Sequence, residues 1–150
     1  MSQHLYVIID SSGSMYEEGK RAASIYIAKS IAGFTKSHYP STESAVLSWS
    51  NAIEKFPGAS LSKRKPDFGP LVSFVKEHTD SHIILLTDGI FEKNDQDALA
   101  QLASHKSLSV VLMGADANDI FVKQAPGKER VYAAVDGLMR VHDLFLNNYQ

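Results

Sequence analysis

The hydrophobic residues of this chain fall into short continuous runs that alternate with segments of helical periodicity. Strand-like runs occupy residues 5–9, 45–50, 52–56, 83–86, 108–113 and 131–135. The runs at 5–9 and 83–86 contain only aliphatic and aromatic residues, which is typical of strands buried on both faces of a parallel sheet. The second and third runs follow one another so closely that they can pair only as an antiparallel hairpin.

Between these runs lie segments in which apolar residues recur three or four positions apart. The first such segment spans residues 17–37 and has Ala22, Ile25, Ala28 and Ile31 at helical spacing. Four further helices are predicted at residues 71–78, 96–105, 118–124 and 137–148. Strands that alternate with helices predict a mostly parallel α/β sheet covered on both sides, formed as one domain by residues 1–150.

The composition excludes several kinds of chemistry. Among 150 residues, 15 Lys and Arg stand against 17 Asp and Glu, which gives a formal net charge of −2, and there is no cysteine. Disulfides, thiolate zinc sites and a cysteine nucleophile are therefore excluded. The near-neutral charge argues against nucleic acid or an anionic membrane as a partner. The sequence has neither a signal-peptide pattern nor a long apolar span, so we expect a cytoplasmic protein.

Two acidic residues directly follow the most hydrophobic strands. Asp10 ends the first strand and Asp88 follows the run at 83–86, and ligands of such sheets bind beyond the carboxyl ends of strands. In an extended loop, Asp10, Ser12 and Ser14 would direct oxygen atoms to one centre. Carboxylate and hydroxyl oxygens suit Mg²⁺ or Mn²⁺. The sequence thus predicts a divalent cation site, with the two carboxylates supplying the negative charge.

These same segments resemble a known family. Residues 10–15 (DSSGSM) and 86–89 (LTDG) are similar to the metal-ion-dependent adhesion site (MIDAS) of von Willebrand factor A (VWA) domains, especially the small bacterial cytosolic kind. The resemblance extends through residues 47–50, 110–114 and 131–146. It implies a doubly wound, Rossmann-like, six-stranded sheet with one antiparallel edge strand and helices on both faces.

The resemblance also implies a ligand set. Asp10, Ser12 and Ser14 would bind the metal, Asp88 would act mainly through metal-bound water, and an acidic side chain of a partner protein would fill the last position. Family members add a threonine from a third loop, but residues 56–71 contain no threonine. The replacement candidates are Asp67, Ser60 and Ser62. Of these, Asp67 would bind Mg²⁺ more tightly and repel an acidic partner group.

Two further carboxylates, Asp116 and Asp119, follow the strand at 108–113. They could line the same edge of the sheet, although acidic residues in such positions are more often helix caps.

The leading hypothesis is a metal-dependent protein–protein interaction module without enzymatic activity. The resemblance suggests a partner within a bacterial stress or defence system, such as a MoxR-type AAA+ ATPase or a kinase and phosphatase. The resemblance also suggests that the helix at 137–148 moves when the partner binds. Two alternatives stay open. One is a Mg²⁺-dependent phosphohydrolase of the haloacid dehalogenase type, although Ser12 stands where its second acid would be. The other is a scaffold domain with a degenerate metal site.

Overall fold

Parallel strand pairing dominates the computed structural model, which describes residues 3–17, 19–58, 65–114, 117–118 and 131–133. Within those residues there is one six-stranded sheet of order β3-β2-β1-β4-β5-β6. Its strands are β1 (Gln3–Asp10), β2 (Thr42–Trp49), β3 (Ile53–Lys55), β4 (His82–Thr87), β5 (Leu108–Leu112) and β6 (Val131–Ala133). Neighbouring strands are parallel except for β2 and β3, which form the predicted hairpin. The Rossmann-like sheet with one antiparallel edge strand is confirmed.

Helices cover both faces of this sheet. They are α1 (Lys20–His38), α2 (Phe68–Glu77) and α3 (Gln96–Ala103). On one face, Ala28 and Ile31 of α1 pack in a buried cluster with residues of β1, β4 and β5. On the other face, Leu71 of α2 and Leu99 of α3 belong to a second cluster. The continuous apolar runs of β1 and β4 are explained by this arrangement, since both of their faces are buried.

The start of α1 differs from the prediction. The helix begins at Lys20 rather than at residue 17, because Gly19 adopts a left-handed conformation (φ 75°) at the N-cap position. Of the predicted stripe, Ala28 and Ile31 are buried and Ile25 packs against the core, but Ala22 is exposed. The buried residues of α1 are Lys20, Ser24, Ala28, Ile31 and Thr35.

The strand order fixes where the acidic loops lie. Strand β1 pairs with β2 on one side and with β4 on the other, and Ile9 is in register with Leu86. The carboxyl ends of β1 and β4 are therefore adjacent at the point where the strand order reverses, which is where ligands bind in such sheets. No helix in the described ranges is both long and apolar enough to cross a membrane.

Some sequence predictions lie outside the described residues. They are the helices at 118–124 and 137–148, the candidate ligands Ser60 and Ser62, and the carboxylates of Asp116 and Asp119.

Candidate metal centre

Asp10 stands at the centre of a hydrogen-bonded cluster at the end of β1. It is fully buried, and its Oδ1 accepts a 2.9 Å hydrogen bond from the backbone N–H of Ser12. Its Oδ2 accepts a 2.7 Å hydrogen bond from the Thr87 hydroxyl on the neighbouring strand. The same Thr87 oxygen accepts a 3.1 Å hydrogen bond from the N–H of Gly89. Thr87 thus links the two acidic loops, in line with the loop-bonding role expected for a threonine in such a turn.

The two serines of the first loop lie side by side. Ser12 has extended backbone angles (φ −67°, ψ 164°), but residues Gly13–Tyr16 form a 3₁₀ turn instead of the extended loop that the alternating spacing suggested. The turn nevertheless places the Ser12 and Ser14 Oγ atoms 3.4 Å apart. Adjacent ligands of an octahedral Mg²⁺ lie about 3 Å apart, since each is about 2.0–2.1 Å from the ion. The hydroxyl pair therefore fits two neighbouring positions around such a cation.

The electrostatics of Asp10 also fit a cation. Burial, with a smaller contribution from the nearby Asp88 charge, raises the pKa of Asp10 to about 6, although the hydrogen bonds from Thr87 and Ser12 act in the opposite direction. A positive charge placed beside a buried carboxylate stabilises its ionised form. Each of its oxygens can accept more than one hydrogen bond or metal contact, so the bonds to Ser12 and Thr87 leave capacity for a ligand.

The second predicted carboxylate, Asp88, is fully buried and held by a basic side chain. Its Oδ2 lies 3.1 Å from Nζ of Lys20, and the side chains of both residues are 0% exposed. Its Oδ1 accepts a 3.2 Å hydrogen bond from the N–H of Ile90, and its backbone carbonyl accepts one from the N–H of Asn118 at 2.8 Å. Asp88 therefore faces a cation that is part of the chain itself.

Lys20 is the residue that the sequence analysis missed. A lysine in the first turn of a helix is usually solvated, because burying its ammonium group is costly. A signal was present, however, since Lys20 lies eight and eleven positions before Ala28 and Ile31 and thus on the same face of a helix. Both of those residues are buried.

A second basic side chain from the same turn reaches the other loop. Arg21 Nη1 donates a 2.8 Å hydrogen bond to Oγ of Ser11, the residue after Asp10. The guanidinium carbon also lies 5.2 Å from the ring centroid of Tyr16, within the range of a cation–π contact. The first turn of α1 thus brings positive charge to both acidic loops.

Asp67, the candidate third-loop ligand, is the N-cap of α2. Its carboxylate accepts a 2.9 Å hydrogen bond from the N–H of Gly69, and its backbone carbonyl accepts one from Trp49 Nε1 at 2.7 Å. Among the described residues, no group of three or more His, Asp or Glu side chains is placed to hold a metal ion. Asp67 therefore does not join Asp10 and Asp88 in a three-carboxylate cluster, and its role as a ligand stays a prediction.

Two large apolar side chains are exposed beside the acidic loops. Tyr16 is 45% exposed and lies two residues after Ser14, whereas Ile90 is 43% exposed and lies two residues after Asp88. Each of the two side chains therefore leaves apolar surface exposed next to an acidic loop. We call Tyr16 and Ile90 the apolar rim.

Comparisons with known proteins identify the fold through structure alone. No protein-family model matches the sequence, and no curated protein matches it. Solved structures do match. The chain is similar to a von Willebrand factor type A protein from Catenulispora acidiphila, with 18% identity and a TM-score of 0.62, over 95% of this chain and 42% of that one. It thus spans less than half the length of that protein.

Two further structures are comparably similar. The conserved hypothetical protein BatB from Bacteroides thetaiotaomicron has 11% identity and a TM-score of 0.69, over 99% of this chain and 100% of that one. The manganese-loaded TRAP protein of Plasmodium vivax has 14% identity and a TM-score of 0.63, over 92% of this chain and 71% of that one. The chain therefore has the fold of von Willebrand factor A domains, as the sequence resemblance implied.

Proposed function

We propose that this chain is a protein–protein interaction module that binds its partner at the carboxyl edge of the sheet, with a divalent cation in the first acidic loop. The single observation that carries this proposal is the convergence of Asp10, Ser12 and Ser14. The two serine hydroxyl oxygens lie 3.4 Å apart, next to the buried Asp10 carboxylate. The similarity to a manganese-loaded protein of the same fold supports a divalent cation as the ligand.

The residues of this chain that would hold the cation are the Ser12 and Ser14 hydroxyls and the Asp10 carboxylate. Their oxygens are hard ligands, so Mg²⁺ or Mn²⁺ is the expected ion. When bound, the cation would supply a Lewis-acidic position for an oxygen atom of the partner. Thr87 fixes the orientation of Asp10 through its 2.7 Å hydrogen bond. Asp67 remains a proposed additional ligand from the third loop.

The partner that suits this edge combines an acidic group with apolar contacts. A carboxylate is the side chain that a divalent cation binds most readily, and the apolar rim offers exposed surface from Tyr16 and Ile90 on either loop. We propose a partner segment that presents an acidic residue flanked by aliphatic or aromatic ones. A cytoplasmic setting and a MoxR-type AAA+ ATPase, or a kinase and phosphatase, remain proposals from the resemblance.

A phosphohydrolase is the less favoured alternative. Such an enzyme needs a nucleophilic Asp and a second acid two residues later to protonate the leaving group. Ser12 occupies that second position here, and its hydroxyl lies 3.4 Å from the Ser14 hydroxyl. A hydroxyl cannot take the place of a carboxylic acid as proton donor near neutral pH.

Partner capture in the presence and absence of a chelator tests the proposal. Immobilised protein is exposed to extract of its native cells in Mg²⁺ and in EDTA, with the Ser12→Ala/Ser14→Ala double variant alongside. The matched control is Ser37→Ala, because Ser37 is an exposed serine at the far end of α1. We expect one main partner to be lost with EDTA and with the double variant only. A partner retained equally under all conditions would support the metal-free scaffold instead.

A further inference from the structure

The acidic edge of the sheet already contains positive charge of its own. Lys20 Nζ lies 3.1 Å from Asp88 Oδ2, and neither side chain has any exposed surface. An ammonium group is removed from water only where a partner compensates for the lost hydration. The contact therefore differs from a surface ion pair, in which solvent weakens the attraction between the two groups.

Two basic side chains match the two buried carboxylates of this edge before any metal is added. Glu17, on the same loop as Asp10, is exposed to solvent. Asp10 and Asp88 contribute two negative charges, whereas Lys20 and Arg21 contribute two positive ones, so their sum is zero. Lys20 contacts Asp88 directly, and Arg21 contacts Ser11 beside Asp10. A divalent cation that approaches this edge meets a neutral group of side chains and not a pair of uncompensated carboxylates.

We propose that Lys20 is an internal counter-cation that holds Asp88 and thereby lowers the affinity of the acidic edge for a divalent ion. The proposal rests on the proposed function, since it concerns the same cation. Two consequences follow from the charge balance. The protein keeps its fold without metal, and the cation depends on Asp10, Ser12 and Ser14 while Asp88 stays paired with Lys20.

The position of Lys20 on α1 explains why this lysine contacts Asp88 and Lys29 does not. Lys20 begins the buried stripe of α1, which continues with Ser24 and Ala28 and packs against the sheet. Lys29, on the same helix, is exposed. A lysine placed only one position away from the stripe would extend into solvent, where its charge would be screened.

The test compares Mn²⁺ binding to Lys20→Met and to Lys29→Met by calorimetry. The two substitutions remove the same charge from the same helix, one at the acidic edge and one in solvent. We expect Lys20→Met to bind Mn²⁺ about tenfold more tightly than the unmodified protein, since one unit of repulsive charge is removed at close range. In EDTA the melting temperature of Lys20→Met should be lower than that of the unmodified protein, and Mn²⁺ should restore it. Lys29→Met should behave like the unmodified protein.

A double variant keeps the test decisive if Lys20→Met does not fold. Lys20→Met/Asp88→Asn replaces the ion pair with a neutral pair, and the amide oxygen that this variant introduces would still accept a hydrogen bond from the Ile90 N–H. If Lys20 cancels Asp88, the net charge at this edge is unchanged, and Mn²⁺ affinity should stay within about threefold of the unmodified protein. A tenfold loss in the double variant would mean that Asp88 serves the cation despite Lys20, and would overturn the proposal.

The results of these titrations separate this inference from the proposed function. If the unmodified protein and Lys20→Met bind Mn²⁺ with equal affinity, the role of Lys20 is overturned and the proposed cation site is retained. Binding by Lys20→Met alone would support the role of Lys20 and overturn metal dependence of the unmodified protein. Absence of binding in both proteins would overturn both proposals.

Discussion

The hydroxyl of Thr87 donates a 2.7 Å hydrogen bond to Oδ2 of Asp10 across the boundary between β4 and β1. Both residues are fully buried, and they belong to adjacent parallel strands. The bond joins the two acidic loops at the switch point of the sheet and fixes the Asp10 carboxylate in one orientation. The arrangement of this edge therefore depends on a pair of residues separated by 77 positions in the chain.

Replacing Thr87 tests the importance of that bond. Thr87→Val keeps the shape of the side chain but leaves the buried Asp10 oxygen and the Gly89 N–H without this partner, so we expect a loss of about 1–3 kcal/mol in the free energy of unfolding. Thr87→Ser, which retains the hydroxyl, should lose less. Urea denaturation of both variants measures the difference. Equal stability of Thr87→Val and the unmodified protein would show that the bond contributes nothing.

The buried Asp10 carboxyl should make stability depend on pH. Burial raises its pKa from 3.8 to about 6, so the folded state holds this proton more tightly than the unfolded state. The contribution of Asp10 is fully present below about pH 3.8 and is lost as the pH rises through 6. A shift of about two units corresponds to about 3 kcal/mol.

Urea denaturation in EDTA between pH 4 and pH 7.5 measures this contribution. The free energy of unfolding of the unmodified protein, relative to Asp10→Asn, should decrease across that range. Asp97→Asn, which neutralises an exposed carboxylate in α3, serves as the control. An increase with pH relative to Asp10→Asn would contradict a raised pKa.

The two strands that position the site could be predicted from the sequence, whereas the pairing of its acidic residues with basic ones could not. The apolar runs at 5–9 and 83–86 predicted two central strands, and their neighbouring positions brought Asp10 and Asp88 to one edge as expected. The contact between Lys20 and Asp88 joins residues 68 positions apart. It depends on the strand order and on the start of α1, and neither is specified by local periodicity. Burial of a lysine also opposes the usual preference of that residue.

Asp67 can be tested as a ligand separately from its structural role. As the N-cap of α2 it accepts a hydrogen bond from Gly69, and Asn caps helices about as well as Asp. Asp67→Asn should therefore keep the thermal stability, whereas Asp67→Ala should lose about 1 kcal/mol. If Asp67 is also a ligand, Asp67→Asn should weaken Mn²⁺ binding in calorimetry. Unchanged Mn²⁺ affinity in Asp67→Asn would restrict Asp67 to capping.

The turn after Asp88 should tolerate only glycine. Gly89 has a φ of +68°, and a Cβ atom there would collide with the backbone oxygen of Asn118. Gly89→Ala should therefore lower the melting temperature and disturb the loop that carries Asp88. Gly33→Ala is the control, because it lies within α1 with open space around it. That variant should gain about 0.5–1 kcal/mol. Equal effects of the two substitutions would contradict the account of this turn.

Direct titration with Mn²⁺ and Mg²⁺ tests the central claim, that Asp10, Ser12 and Ser14 hold a divalent cation. Calorimetry into the millimolar range should give one site in the unmodified protein and in Ser37→Ala. The Ser12→Ala/Ser14→Ala and Asp10→Ala variants should bind at least about tenfold more weakly, since the first removes two ligand hydroxyls and the second removes the ligand carboxylate. Absence of heat from the unmodified protein, or equal affinity in all variants, would contradict the claim.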